Sequence, residues 1–177
     1  MSKLLAFAGS NSSRSINFQL VKHTASLVTN KEVRLLNMTE IVLPIYSDDL
    51  EREEGYAPIL KKLIEEIRES KGLILSVNEH NGNVSAYFKN LIDWLSRVDR
   101  EFLKDTKILL MSSSRGRGGA IGSQEIANKL LSRFGGEIVS TFSLPSFKHT
   151  FSEKEGITDL ELKEAHNTAL QSFLSKI

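Results

Sequence analysis

A loop of small polar residues follows the first apolar segment of the chain and reads Gly9-Ser10-Asn11-Ser12-Ser13-Arg14-Ser15-Ile16-Asn17. Residues 4–8 before it are apolar, and the residues after it have the spacing of an amphipathic helix. In such a loop the backbone N–H groups can converge on one point, and the start of the helix adds the positive end of its dipole. The pattern predicts an anion site, for which a phosphate group is the natural ligand. A simpler interpretation, in which the serines only cap the helix, stays open.

Two later loops have a similar composition. One reads Asn78-Glu79-His80-Asn81-Gly82-Asn83, and the other reads Ser112-Ser113-Ser114-Arg115-Gly116-Arg117-Gly118-Gly119. Each follows a short apolar segment that predicts a strand. If these strands are parallel neighbours in one sheet, their carboxyl ends share an edge and the three loops form a single site.

The elements that must position these loops alternate along the chain. Short apolar segments predict five buried strands, at residues 4–8, 33–36, 73–77, 107–111 and 138–142. Apolar residues at three- and four-residue spacing predict five helices, at residues 18–28, 59–67, 88–95, 121–134 and 160–174. This alternation is typical of an α/β fold with a parallel sheet and helices on both faces. We expect the strand order 2-1-3-4-5, in which ligands bind between strands 1 and 3.

The composition is that of an ordinary globular chain. With 177 residues, 40% of them hydrophobic, we expect a single domain that covers residues 1–177. The net charge of +1 and the lack of long runs of like charge argue against nucleic acid or a membrane as a partner. The chain has no cysteine, which excludes disulfides, thiolate nucleophiles and cysteine metal sites and makes a cytoplasmic location the simplest expectation.

Known phosphate-binding patterns narrow the choice of nucleotide. The dinucleotide pattern Gly-x-Gly-x-x-Gly fails after the first strand, where only Gly9 is present, and Asn37 follows the second strand in place of an acidic residue. The P-loop pattern with Gly-Lys-Ser or Gly-Lys-Thr is absent as well. FMN remains attractive, because it needs one terminal phosphate site and two loops beside a flat ring system.

Several segments together resemble the NADPH-dependent FMN reductase family of flavodoxin-like folds. They are Gly9-Ser10, Ser15-x-Asn17, Leu43-Pro44-Ile45-Tyr46, Glu79-His80-Asn81-Gly82, the helix from Phe88 to Arg97, and Gly116 to Gly119. The resemblance spans residues 3 to 150, and its most specific part is the Glu-x-Asn-Gly loop that leads into a Lys-Asn-x-x-Asp-Trp helix. It implies a three-layer flavodoxin-like fold. It also implies an enzyme that passes electrons from NADPH or NADH through FMN to a small acceptor, such as a quinone, an azo compound, a metal oxyanion or free flavin.

The resemblance further implies roles for residues on all three loops, and a homodimer or homotetramer that pairs through the helix at residues 88–97. The resemblance implies that Ser10, Ser15 and Asn17 bind the FMN phosphate, and Ser12 and Arg14 in the same loop are further candidates for that site. Those implied along the isoalloxazine ring are Glu79, His80, Asn81, Gly82 and Asn83. Those implied at the other edge of the ring are Ser113, Ser114, Arg115, Gly116, Gly118 and Gly119. No catalytic side chain is required, since the cofactor carries out the hydride chemistry.

The chain departs from the family pattern at three positions. Ser12 stands where the family usually has Arg, which leaves Arg14 to pair with the phosphate. His80 replaces a Tyr, and Asn78 replaces a Pro. An imidazole offers less apolar surface and titrates near neutrality, so we expect weaker or pH-dependent flavin binding. Two alternatives therefore stay open: an electron carrier, although such carriers are usually acidic, and a regulatory protein that has lost its flavin.

Single residues also have simpler interpretations. Three roles stay open for Arg115 and Arg117: they increase solubility, form a salt bridge, or bind the phosphate of a nicotinamide cofactor. Trp94 fits a core position or a subunit contact, and we expect the charged residues 51–54 to face water. Three further histidines lack the spacing of metal ligands, so we predict no metal and expect surface or satisfied core residues: His23, His149 and His166.

Overall fold

The computed structural model describes residues 3–177. In chain order its strands are β1 (Lys3–Ala8), β2 (Glu32–Leu35), β3 (Gly72–Val77), β4 (Glu79–His80), β5 (Asn83–Val84), β6 (Lys107–Ser113), β7 (Glu137–Leu144), β8 (Phe151–Ser152) and β9 (Gly156–Ile157). Its helices are α1 (Ile16–Ser26), α2 (Asp48–Glu54), α3 (Pro58–Glu69), α4 (Ala86–Val98), α5 (Ile121–Arg133), α6 (Phe147–Thr150) and α7 (Leu160–Leu174), with a 3-10 turn at Met38–Glu40.

Five strands form one parallel sheet in the order β2-β1-β3-β6-β7. Because β6 and β7 are the fourth and fifth strands of this sheet in chain order, the predicted order 2-1-3-4-5 is confirmed. The other strands form two short antiparallel hairpins, β4-β5 and β8-β9. These hairpins lie in the loops that connect the larger elements and are not part of the central sheet.

Helices cover both faces of the sheet, as the alternation of elements predicts. Along β1, Leu5 and Phe7 point to a core shared with α3, α4 and α5, whereas Leu4 and Ala6 point to a second core shared with α1 and α7. A strand buried on both faces has no polar side to place in solvent, which explains why β1, β3 and β6 read as continuous apolar runs.

Helix α2 has no apolar periodicity and is therefore absent from the predicted helices. Its residues are almost all charged, and it is stabilised at its start, where Ser47 Oγ accepts a hydrogen bond from the Leu50 N–H and three acidic residues occupy the first turn. The expectation that residues 51–54 all face water is wrong for Glu51. This carboxylate accepts hydrogen bonds from Tyr46, Tyr56 and Arg97, and the bond from Arg97 is the main cause of its lowered pKa.

His166 also departs from expectation. It is a core residue, 1% exposed, and its Nε2 lies 2.8 Å from Thr24 Oγ1. Its Nδ1, however, is buried without a hydrogen-bond partner among residues 3–177. This histidine is therefore only half satisfied.

No helix within residues 3–177 combines the length and the apolar character that crossing a bilayer requires.

Candidate functional site

Three loops leave the carboxyl ends of adjacent parallel strands. The serine loop (residues 9–17) follows β1, the hairpin loop (residues 78–84) follows β3, and the glycine loop (residues 114–119) follows β6. Since β3 lies between β1 and β6, the structure brings the three loops together at one edge of the sheet. We refer to the three loops together as the rim.

Asn17 ties the serine loop to the ends of the other two strands. Its side chain is 1% exposed. Its Oδ1 accepts a 2.7 Å hydrogen bond from Ser76 Oγ in β3, and its Nδ2 donates a 3.1 Å bond to the Ser113 carbonyl in β6. One buried amide therefore fixes the start of α1 relative to two neighbouring strands.

The serine loop is folded around its own hydroxyl groups. Ser10 Oγ accepts from the Ser12 N–H, and Ser12 Oγ accepts from the Arg14 N–H, each at 3.3 Å. Ser15 Oγ caps α1 by accepting a 3.1 Å bond from the Phe18 N–H. The capping interpretation is thus confirmed for Ser15. It does not compete with anion binding, since the first turn of a helix has several N–H groups without an acceptor within the helix.

Gly9 permits a close approach between the serine loop and α4. A Cβ atom at this position would lie 2.6 Å from Phe88 Cδ2, so any other residue would clash with the Phe88 side chain. Ser85 Oγ donates a 2.9 Å bond to the Gly9 carbonyl and also caps α4 at the Phe88 N–H. The loop and the start of α4 are therefore held as one unit.

The hairpin loop turns at Asn81 and Gly82. Both have positive φ, 54° and 72°, which is the type I′ geometry that Asn-Gly favours in two-residue hairpins. The residues at the tip are exposed: His80, Asn81, Gly82 and Asn83. At the start of the same loop, Asn78 Oδ1 is buried and has no partner within residues 3–177.

Glu79 connects the hairpin loop to α5. The residue that precedes that helix, Ala120, has φ 63° and no side chain able to cap it. Glu79 Oε2 accepts a 3.3 Å hydrogen bond from the Ser123 N–H and so supplies the missing cap from another loop. Its negative charge also lies at the positive end of the helix dipole.

The glycine loop is held against the end of β7. The Gly119 carbonyl accepts hydrogen bonds from Ser112 Oγ and Ser143 Oγ, both at 2.8 Å, and the Gly116 carbonyl accepts from the Ser146 N–H at 2.8 Å. Gly119 has φ 58°, and a Cβ there would lie 2.1 Å from Ser143 Oγ. The backbone of this loop is consequently fixed.

A comparison with known protein families shows which family the chain belongs to. The family model of NADPH-dependent FMN reductases matches residues 2–149. The chain belongs to this family. The resemblance stated from the sequence is therefore confirmed.

Individual relatives differ in their sequence identity to the chain and in the length over which they align with it. Quinone reductase of Escherichia coli is 38% identical over 79 residues, which are 44% of this chain and 42% of that protein. An NAD(P)H-dependent FMN reductase of Pseudomonas aeruginosa is 28% identical over 123 residues, which are 69% of this chain and 65% of that protein. The chain thus aligns with less than half of the E. coli protein.

The solved structure of FerB, an NAD(P)H:(acceptor) oxidoreductase from Paracoccus denitrificans, has the same fold. It superposes with a TM-score of 0.79 at 22% identity and covers 99% of this chain and 96% of that one.

All the site residues that the sequence predicts lie on the rim or at the strand ends beneath it. The sequence does not reveal as site residues the four serines that hold the rim in place, which are Ser76, Ser85, Ser112 and Ser143. Serines are common in loops, so only their buried hydroxyls identify them. Asn78 departs from the family pattern, and its unpaired Oδ1 marks it as a further candidate for contact with a ligand.

We expect Glu79→Ala to lower the free energy of unfolding by about 1 kcal/mol, the usual cost of a lost helix cap. Glu79→Gln should retain most of the stability, since its amide oxygen can accept the same bond from the Ser123 N–H. Hydrogen exchange at the Ser123 amide provides the measurement and should be faster in the alanine variant alone. Glu125→Ala, which removes an exposed glutamate from the same helix, is the control. Equal exchange in all variants would contradict the capping role.

A second surface lies beside the rim, where residues 41–47 pack on α4. Asn90 accepts from the Tyr46 N–H at 2.8 Å and donates to the Pro44 carbonyl at 2.9 Å, and Trp94 Nε1 donates to the same carbonyl at 2.8 Å. Trp94 is 3% exposed, so its predicted core position is confirmed. The segment is thus held in place, although Val42 and Ile45 on it are 84% and 86% exposed.

Proposed function

We propose that residues 3–177 act as one FMN-binding unit with NAD(P)H-dependent reductase activity, passing electrons to a small acceptor such as a quinone, an azo compound, a metal oxyanion or free flavin. The observation that carries the proposal is the meeting of three serine-, asparagine- and glycine-rich loops at one edge of the sheet, joined by the Asn17 amide. Family membership over residues 2–149 supports it. The cytoplasmic location expected from the sequence stays a prediction.

The rim has the chemistry that FMN requires. A phosphate can be bound by the first turn of α1 and by the hydroxyls of Ser10, Ser12 and Ser15, with Arg14 exposed beside them. The buried Oδ1 of Asn78 lacks a partner and suits an N–H donor, which a flavin ring carries on its pyrimidine edge. Gly116 and Gly118 leave open space where a flat ring can approach the backbone. The residues therefore fit the group.

The proposed role of the protein is to bind and orient. FMN, when bound, would supply the chemistry of hydride and electron transfer. The serine loop holds the phosphate, and the hairpin and glycine loops flank the ring. Asn17 and Glu79 keep the loops in register, so that the site requires little rearrangement when a ligand enters. Backbone N–H groups of the hairpin and glycine loops would place positive potential beside the ring and so favour negative charge on it.

Titration of flavin-free protein with FMN, followed by NADPH and NADH oxidation assays, tests the proposal. We expect FMN fluorescence to change on binding, and we expect NAD(P)H oxidation to exceed the rate with free FMN alone. Riboflavin, which lacks the phosphate, should bind more weakly if the serine loop holds that group.

Other outcomes of the same experiment identify the alternatives. Bound FMN without oxidation of NADPH or NADH would indicate an electron carrier. No binding of FMN at all would indicate a regulatory protein with a degenerate site, and the proposed function would then be wrong.

We also propose that the protein forms a homodimer through residues 41–47 and α4. Val42 and Ile45 are large apolar residues exposed on a segment that hydrogen bonds from Asn90 and Trp94 hold rigid. A rigid exposed apolar surface is typical of a protein interface. Light scattering should give a dimer for the wild type and a monomer for Ile45→Glu, and a monomeric wild type would contradict the proposal.

A further inference from the structure

We propose that Arg115 and Arg117 bind the 2′-phosphate of NADPH and so make it the preferred electron donor over NADH. This inference rests on the proposed reductase function. It concerns two arginines of the glycine loop whose role the sequence leaves open between solubility, a salt bridge and a cofactor phosphate.

The rim carries a concentrated positive charge. It contains three arginines, Arg14, Arg115 and Arg117, and one acidic residue, Glu79, which amounts to a net charge of +2. The whole chain has a net charge of only +1. The excess positive charge of the protein therefore lies on the three loops where we propose that ligands bind, which favours anions at that edge.

The arginines of the glycine loop are free to bind a ligand. Both are exposed, and neither guanidinium has an ion pair or hydrogen bond within residues 3–177, so a salt bridge does not explain them. Four other arginines, at positions 34, 52, 68 and 97, each pair with a carboxylate. The one carboxylate of the rim, that of Glu79, accepts a hydrogen bond from the Ser123 N–H of α5 instead.

The two glycines that flank Arg117 on its N- and C-terminal sides have no role in the fold that requires glycine. A Cβ on Gly118 would meet nothing within 4 Å, and one on Gly116 would meet only Ser114 Oγ, at 3.9 Å. Neither has the positive φ that favours glycine, in contrast to Gly119. Open backbone beside two free guanidinium groups is the arrangement that lets a phosphate approach closely.

NADPH carries a 2′-phosphate that NADH lacks, and this group distinguishes the two donors at the glycine loop. A phosphate monoester carries a charge of about −1.5 to −2 near neutral pH, which two guanidinium groups match with charge-assisted hydrogen bonds. Sites that prefer NADH commonly place a carboxylate on the ribose hydroxyls, and such a carboxylate would repel the 2′-phosphate. The glycine loop contains no carboxylate. The rim therefore has the charge that suits NADPH.

Steady-state assays at saturating FMN test this assignment through the ratio of kcat/KM for NADPH to that for NADH. We expect the wild type to prefer NADPH. Arg115→Ala and Arg117→Ala should each lower the ratio about tenfold, the effect of losing one charge-assisted hydrogen bond. Arg133→Ala removes an exposed arginine at the far end of α5 and is the matched control, which should keep the wild-type ratio.

Binding of 2′-AMP and 5′-AMP, measured by calorimetry, provides a readout that needs no turnover. The wild type should bind 2′-AMP more tightly, and the double variant Arg115→Ala/Arg117→Ala should bind both equally. Gly118→Ala should fold normally, since its Cβ meets nothing in the protein, and yet bind 2′-AMP more weakly.

The failures of this inference and of the proposed function are distinguishable. If neither NADPH nor NADH is oxidised, the reductase proposal is wrong, and the 2′-AMP titration still decides the role of the arginines. A wild-type ratio near one would overturn the inference. An equal loss of kcat/KM for NADPH and NADH in the arginine variants would overturn it too. If the FMN dissociation constant also rose, the arginines would bind the flavin phosphate. If it stayed unchanged, they would bind the pyrophosphate that both donors share.

Discussion

Asn17→Ala should lower the free energy of unfolding by about 3 kcal/mol, because it leaves two buried polar groups without partners at about 1–3 kcal/mol each. These groups are the Ser76 hydroxyl and the Ser113 carbonyl, and the two residues are 0% and 2% exposed. Water cannot easily replace the lost amide at such a buried position. Chemical unfolding followed by far-UV circular dichroism measures the effect, provided that the slope of the transition is the same for both proteins.

A matched variant in the same loop separates this role from a general effect of the serine loop. Asn11 is exposed, and Asn11→Ala should change the free energy of unfolding by no more than about 0.5 kcal/mol. If Asn17→Ala is as stable as Asn11→Ala, the amide does not join the strands in the way we describe.

Asn17→Asp tests the direction of the two hydrogen bonds. An aspartate can still accept from Ser76, but its second oxygen would face the Ser113 carbonyl and repel it. Burial and this repulsion should raise the pKa of the new carboxyl in the folded state above its unfolded value of about 3.9. A group with a raised pKa stabilises the fold when it is protonated, so this variant should regain stability relative to Asn17→Ala as the pH falls. No such recovery would argue against the donor role of Nδ2.

The central sheet was predictable because its signal is local. Strands β1 and β3 are buried on both faces and consist of short, continuous apolar runs, and the helices that cover them have regular apolar spacing. Helix α2 was not predictable in this way, because its stability comes from the cap at Ser47 and from acidic residues in its first turn rather than from an apolar stripe.

The sequence predicts which three loops form the rim, but not the hydrogen bonds that join them. The serine, hairpin and glycine loops could each be recognised by composition. The bonds between them join residues far apart in the chain: Asn17 reaches Ser113 over 96 residues, and Glu79 reaches Ser123 over 44. No periodicity or spacing encodes such pairs, since they depend on where the strands end in space. The sequence therefore indicates where a ligand binds better than what holds the site in shape.

Between pH 7 and about pH 4.5, the wild type should lose about 2 kcal/mol more unfolding free energy than a variant without His166. Burial, and to a smaller extent the charge of the neighbouring His23, lower the pKa of His166 from 6.5 to about 4. A lowered pKa means that the unfolded chain binds the proton first. Stability is thus fully present above pH 6.5 and is lost as the pH falls toward 4.

The comparison with His166→Gln isolates this effect from the titration of carboxylates, which both proteins share. Glutamine cannot be protonated, and its amide can keep a hydrogen bond to Thr24 Oγ1, which lies 2.8 Å from the histidine. Chemical unfolding across this pH range should show the wild type losing stability more steeply than the variant. His149→Gln, at an exposed position, should follow the wild type. Parallel profiles for the wild type and His166→Gln would mean that the buried ring takes up its proton without cost, and the lowered pKa would be refuted. A steeper wild-type profile would instead assign this share of the acid sensitivity to the buried contact between Thr24 of α1 and His166 of α7.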